Sequence, residues 1–293
     1  MNELRKYRRL IGGMAVLLIL AWSVTAFLQS GTPDVPAIPI REDAPVGTLT
    51  VETVARSMEI QLEGFGGWLP NDLWLSPGWF LDNLPNFQLG VLQSMRHASR
   101  VLRDNLSRQR TSDAVHREAD LAYSALANDP HRWAFPSAEG AFGRGIDALR
   151  RFKKELGATA HFYPRADNLV QLLEPLVSEL GAVNTTLLES SRRGKTPWLA
   201  IDDNFYYAQG VGWGVLLLMQ AVKTDFARVL EDKNAQEILD LIIVSLEESQ
   251  FDPLIVTNGS KGGILANHSS NLKAYLDDAR QKMGSLITIL KQG

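Results

Sequence analysis

An uncharged, largely apolar run from Leu10 to Leu28 directly follows four cations, Arg5, Lys6, Arg8 and Arg9. At a rise of about 1.5 Å per residue, a helix of that length covers the ~30 Å hydrocarbon core of a bilayer. No other basic residue follows until Arg41, so the charge asymmetry places the N-terminus in the cytoplasm and the remaining chain across the membrane. The basic residues Arg5, Lys6, Arg8 and Arg9 are the topology determinants. Tyr7 and Trp22 are positioned to sit near the two interfaces, where aromatic residues collect. A cleaved signal peptide is the competing reading, because Val24-Thr25-Ala26 fits a small-residue cleavage site. Against it, the run exceeds the ~7–15 apolar residues of a signal segment, and Phe27 and Leu28 continue past that site.

Beyond the run and the spacer that follows it to Gly47, about 245 residues remain, enough for one large domain or two small ones. The formal charge is −3, and residues 1–9 contribute four positive charges and one negative, so the remainder carries about −6. An acidic domain lacks the basic footprint that nucleic acid requires, so no nucleic-acid partner is expected. There is no cysteine, which removes disulfides, thiolate catalysis and Cys-ligated metals. A hydrophobic content of 45% supplies a core that needs no covalent staples.

Residues 29–47 read as a linker, with Pro33, Pro36, Pro39 and Pro45 near a three-residue period that favours polyproline II. At ~3.1 Å per residue it can hold a domain up to ~50–60 Å from a bilayer. A floppy tether of no fixed length is the other reading. Beyond it the periodicity is helical throughout. Val51, Val54, Ala55, Met58 and Leu62 form one stripe, and Val91, Met95, Ala98, Val101, Leu102 and Leu106 form another, on either side of an irregular Gly/Pro/Trp-rich segment from Gly64 to Phe87. Ser112 is the expected N-cap of a helix to Ala127, and Ser137 of a helix carrying Phe142, Ile146, Leu149, Phe152 and Leu156. Asp167 starts a helix through Leu187 that Pro175 should kink or divide. A long helix follows from Asp202 to Leu230, whose Val211–Val222 stretch is apolar all round but too short to span a membrane. Two more helices are expected over 235–249 and 270–290. The expected fold is all-α: one N-terminal transmembrane helix, a proline-rich linker, and one bundle of about seven or eight helices around the Val211 helix.

Several segments carry a resemblance. GGWLPNDL (66–73), LPNFQLGVL (84–92), WAFPSAE (133–139), FYPRADNL (162–169), PWLAIDDNFYYAQG (197–210), VLEDKNA (229–235), NGS (258–260) and LANHSS (265–270) occur in order across the region. Together they resemble an uncharacterised family of single-pass inner-membrane proteins of Gram-negative bacteria, catalogued only as a domain of unknown function. The resemblance implies a cytoplasmic tail at 1–9, a transmembrane helix at 10–28, a linker at 29–47 and a periplasmic helical domain at 48–293. It implies no activity.

Three polar or aromatic clusters are candidate sites. Trp68, Trp74 and Trp79 would form a docking surface, since aromatic anchors dominate interfaces, would graze the membrane surface where Trp is enriched, or would instead cover the bundle as a packed loop. Asp202 and Asp203 are catalytic candidates as a carboxylate pair. Adjacent residues on a helix point roughly 100° apart, however, and acidic residues at a helix start also serve as caps. Asn258, Ser260, Lys261 and Asn267 are ligand-binding candidates, with His268 a catalytic one, although the phosphate-loop spacing is absent and Asn267 or Ser269 would serve as a helix cap. Gly210, Gly212 and Gly214 inside a helix each cost about 1 kcal/mol relative to Ala, which points to close helix packing. The five histidines stand apart, so neither a metal site nor a cofactor is expected. The expected function is a non-enzymatic interaction or scaffold role at the cell envelope, with the bilayer and an unidentified envelope protein as partners. The alternative is an envelope hydrolase or small-ligand binder that uses the Asp202-Asp203 and Asn258–His268 segments.

Overall fold

The structure, a computed structural model, describes residues 2–29, 31–39, 43–64, 66–72, 83–110, 112–192, 196–197, 199–251, 253, 256–257, 259 and 266–292. Within the first helix, side chains are described for residues 7, 8 and 10–25. Ten α-helices and no strand occur among the described residues. They are α1 (Asn2–Gln29), α2 (Thr48–Glu63), α3 (Asn83–Val101), α4 (Arg117–Leu126), α5 (Ala138–Glu155), α6 (Ala166–Ser190), α7 (Leu199–Asp225), α8 (Ala227–Asp232), α9 (Gln236–Glu248) and α10 (His268–Lys291). A π-helical turn, Leu102–Leu106, extends α3.

The all-α expectation therefore holds, and the nine helices after α1 exceed the seven or eight expected. The extra one arises because the 202–230 helix breaks: Phe226 leaves helical geometry, and α8 restarts behind it. α7 is the axis of the bundle, packed by α2, α3, α6, α9 and α10. Every residue from Phe205 to Met219 except Tyr207 is buried, which is why no polar face interrupts that stretch. The glycine expectation is met at the α3–α7 crossing. A Cβ on Gly90 would stand 2.7 Å from the backbone nitrogen of Val211, and one on Gly210 would strike the carbonyl of Phe87. Ser94 Oγ donates across the same seam to Val211 O at 3.2 Å.

Two local expectations are corrected. Ser112 does not cap α4. The Arg110 N–H is taken by Asp113 Oδ2 at 2.8 Å, which holds this turn outside the helix, and the His116 imidazole accepts from the Glu118 N–H instead. Pro175 does not divide α6, which runs unbroken for 25 residues. Gln171 and Pro175 border an open groove of about 500 Å³, where water can take the carbonyl that a proline leaves unpaired.

The linker also differs from both readings. Thr32, Pro33, Pro36 and Ile38 are half-buried, Ile38 packs against the core, and Gly31 and Pro33 line a small cavity with Gln61, Gly64, Gly67 and Gln88. Over residues 31–38 the segment therefore lies against the bundle. Where it enters α2, the buried carboxylate of Asp225 accepts the Gly47 and Thr50 N–H groups at 2.8 and 2.7 Å and caps that helix from the end of α7.

α1 occupies the predicted span. Among the described residues no helix is long and apolar enough to cross a membrane. The fold thus carries a helix at 10–28, and a membrane crossing goes beyond it.

Candidate functional site

The Asp202–Tyr207 segment opens outward in several directions. Because α7 begins at Leu199, Asp202 sits in the first turn of the helix and not at its cap. Asn86 Nδ2 on α3 donates to Asp203 Oδ1 at 3.0 Å, and Asn204 Nδ2 donates to Ser190 Oγ on α6 at 2.9 Å. Successive side chains spaced about 100° apart are thus engaged by different helices, so these residues pin the start of α7.

One turn further on, a constellation not evident in the sequence joins three helices. Tyr207 of α7 donates to Glu179 Oε1 of α6 at 3.0 Å, while His97 Nε2 of α3 lies 3.5 Å from Glu179 Oε2. Gln93 Nε2 stands 3.2 Å from the same histidine nitrogen. The hydrogen bond from His97, assisted by Tyr207, holds the Glu179 carboxyl below the usual carboxylate range against the cost of its burial. Burial, followed by the Glu179 charge, pushes the Tyr207 phenol well above its ordinary value, so it stays a donor. The arrangement is one carboxylate with donors converging on it, a junction that ties α3, α6 and α7 together.

The 256–270 segment is closed at its neck. The Thr257 N–H donates to His268 Nδ1 at 3.1 Å, and the His268 N–H donates back to Thr257 O at 3.1 Å. Burial lowers the His268 imidazole from its ordinary value, consistent with a neutral acceptor. Asn267 caps α10 by accepting the Ser270 N–H, and its amide donates to Ser191 O at 3.0 Å. Asn258, Ser260 and Lys261 lie outside the described residues. The two polar segments approach each other through rings: Phe251 meets Phe205 at 5.6 Å and His268 at 6.5 Å, centroid to centroid. No group of three or more metal-ligating side chains occurs among the described residues.

The aromatic cluster resolves differently. Trp68 is 2% exposed, packed edge-on against Phe142 at 5.0 Å, and its Nε1 donates to Pro130 O at 2.8 Å. It is therefore a core residue and not a docking surface. Trp74 and Trp79 lie outside the described residues. What Trp68 holds in place is the α4–α5 loop, assisted by Asn71 Nδ2 donating to Arg132 O at 3.1 Å. At the tip of that loop Trp133 is 71% exposed and Phe135 91% exposed. The Arg132 guanidinium folds back onto Ala134 O at 3.2 Å and Phe135 O at 2.6 Å, and Phe135 takes a left-handed φ of 54°. A short turn that spends an arginine on its own carbonyls presents both rings to solvent. The sequence signal was present in WAFPSAE, where two large aromatics fall between the Asn128-Asp129-Pro130 stop and the Ser137 cap.

Among the described residues, the longest run of exposed apolar side chains belongs to α1. Leu10, Ile11, Met14, Leu17, Leu18 and Ile19 are each more than 60% exposed, and among the described residues α1 has no extensive packing against another helix. Arg8 is exposed, while the side chains of Arg5, Lys6 and Arg9 lie outside the described residues. Residues 10–194 and 185–293 match the family described as uncharacterized protein conserved in bacteria (DUF2333), and the chain belongs to that family. No curated protein and no solved structure matches it.

Proposed function

We propose that this family member is a helical interaction module of the bacterial envelope, held on the periplasmic face of the inner membrane by α1. The observation that carries the reading is α1 itself. It is a 28-residue helix whose described large apolar side chains from Leu10 to Leu20 stand more than half exposed, a surface that calls for an apolar partner. The uncharged run to Leu28 and the cations at 5–9 support a bilayer as that partner and a cytoplasmic N-terminus. The scaffold role is supported by what the polar clusters do. Asp203, Asn204, Glu179 and Asn267 spend their side chains joining helices and their ends, and His268 spends its ring on the Thr257 backbone, which leaves recognition to the surface.

The test is alkaline extraction of membranes followed by crosslinking in cells. The native chain should remain in the membrane pellet, and Leu17→Lys with Leu18→Lys should release it. Recovery of native protein in the soluble fraction would defeat the anchor. Capture of only the chain itself and abundant bystanders would defeat the scaffold role.

A further inference from the structure

We infer that the Trp133–Phe135 tip of the α4–α5 loop rests in the bilayer interface, beside the point where the chain arrives from α1. The inference depends on the anchor reading above. Three observations lead to it. The tip is built for exposure: Trp68 and Asn71 fix its base, Arg132 fixes its curvature, and two aromatic rings stand in solvent with little ordering left to lose on binding. Two such rings bury up to ~150–250 Å² each, a large penalty to leave in water.

The tip also sits near the start of the linker. Gly31 and Pro33 line a cavity with Gly67 and Gln88, the Gln88 amide donates to Gly67 O at 2.8 Å, and the next residue, Trp68, reaches Pro130. Trp133 is three residues from Pro130, no more than about 11 Å of chain. An anchored domain must therefore bring this loop close to the lipid headgroups.

The chemistry suits that surface. Tryptophan settles at the headgroup level, and a phenylalanine two residues on can reach the first acyl carbons. Arg132 is directed onto the loop's own carbonyls, and Asp129 and Glu139 flank it, so attraction to anionic lipid contributes little. The contact is apolar and insensitive to salt.

The chain has no cysteine, so a single introduced thiol reports its own position. Phe135→Cys, Leu17→Cys and Asp232→Cys are each labelled with an environment-sensitive nitrobenzoxadiazole dye. The full chains are then reconstituted in phosphatidylcholine vesicles containing lipid with a nitroxide on the upper acyl chain. The expected result is a blue shift and loss of most emission at position 135, comparable quenching at 17, and aqueous emission at 232, unchanged between low and high salt. Quenching at 17 with aqueous emission at 135 overturns the tip contact and leaves the anchor standing. Aqueous emission at both 17 and 135 overturns the anchor, and the tip contact with it.

Discussion

Asp225 and Thr50 lie 175 residues apart in sequence, and a single carboxylate oxygen of the first accepts both the backbone N–H and the hydroxyl of the second, each at 2.7 Å. The other oxygen takes the Gly47 N–H. The first turn of α2 carries no capping side chain of its own, so the end of α7 supplies one. Asp225→Ala should therefore cost about 2–4 kcal/mol, the loss of a cap plus donors left unpaired in a buried place. Asp225→Asn keeps one acceptor and should cost less. Urea unfolding of the detergent-solubilised chain measures both.

Glycine substitutions should separate by position along the helices. Gly210→Ala forces a methyl into the carbonyl of Phe87 at the α3–α7 crossing, and the axis helix cannot move aside, so a loss of about 3 kcal/mol or more is expected. Gly143 in α5 has open space where its Cβ would stand. Gly143→Ala should instead gain about 0.5–1 kcal/mol from helix propensity. Thermal melts of the two variants decide the matter through opposite signs.

The two tryptophans near the α4–α5 loop should respond to truncation very differently. Trp68→Ala removes a buried ring and its bond to Pro130, at about 3–5 kcal/mol. Trp133→Ala removes a largely exposed ring and should fall within about 0.5 kcal/mol of the parent. Denaturation midpoints compare them directly.

His268 gives the neck of the 256–270 segment a dependence on pH. Its imidazole is lowered in the folded protein by burial, so the folded state disfavours the charged form. The stability this confers is complete above the unfolded value of about 6.5 and is lost as pH falls through the lowered folded value. Acidification through that range should loosen the clasp at Thr257, and His268→Gln should flatten the response. Backbone amide exchange at Thr257, followed against pH, reads the change. A fall in melting temperature for His268→Ala marks the same structural role.

The helical stripes were legible because burial on one face leaves a period in the chain. Val91 to Leu106 and Phe142 to Leu156 are buried as their spacing requires. Caps that rely on local chemistry, Ser137 and Asn267, were legible for the same reason. The cap from Asp225 was not, because nothing near Thr50 announces a partner so distant. The Tyr207–Glu179–His97 junction was hidden in the same way, with each member ordinary in its own stretch. Trp68 and Trp133 occupy equally irregular, aromatic-rich surroundings, and only tertiary packing decides which ring is enclosed. The α4 start was misplaced because histidine is an uncommon cap, and Ser112 sits in a turn stabilised by Asp113.

A linker that rests on the bundle leaves almost no slack between α1 and α2. With α1 held in a bilayer as proposed, tension on that helix would reach the domain through the contact of residues 31–38 with the bundle. Its working radius is then set by its own size, about 18 Å in radius of gyration for some 245 residues, and not by a leash of ~50–60 Å. On the anchor reading proposed above, partners that work flush against the membrane surface are favoured over those that need clearance from it.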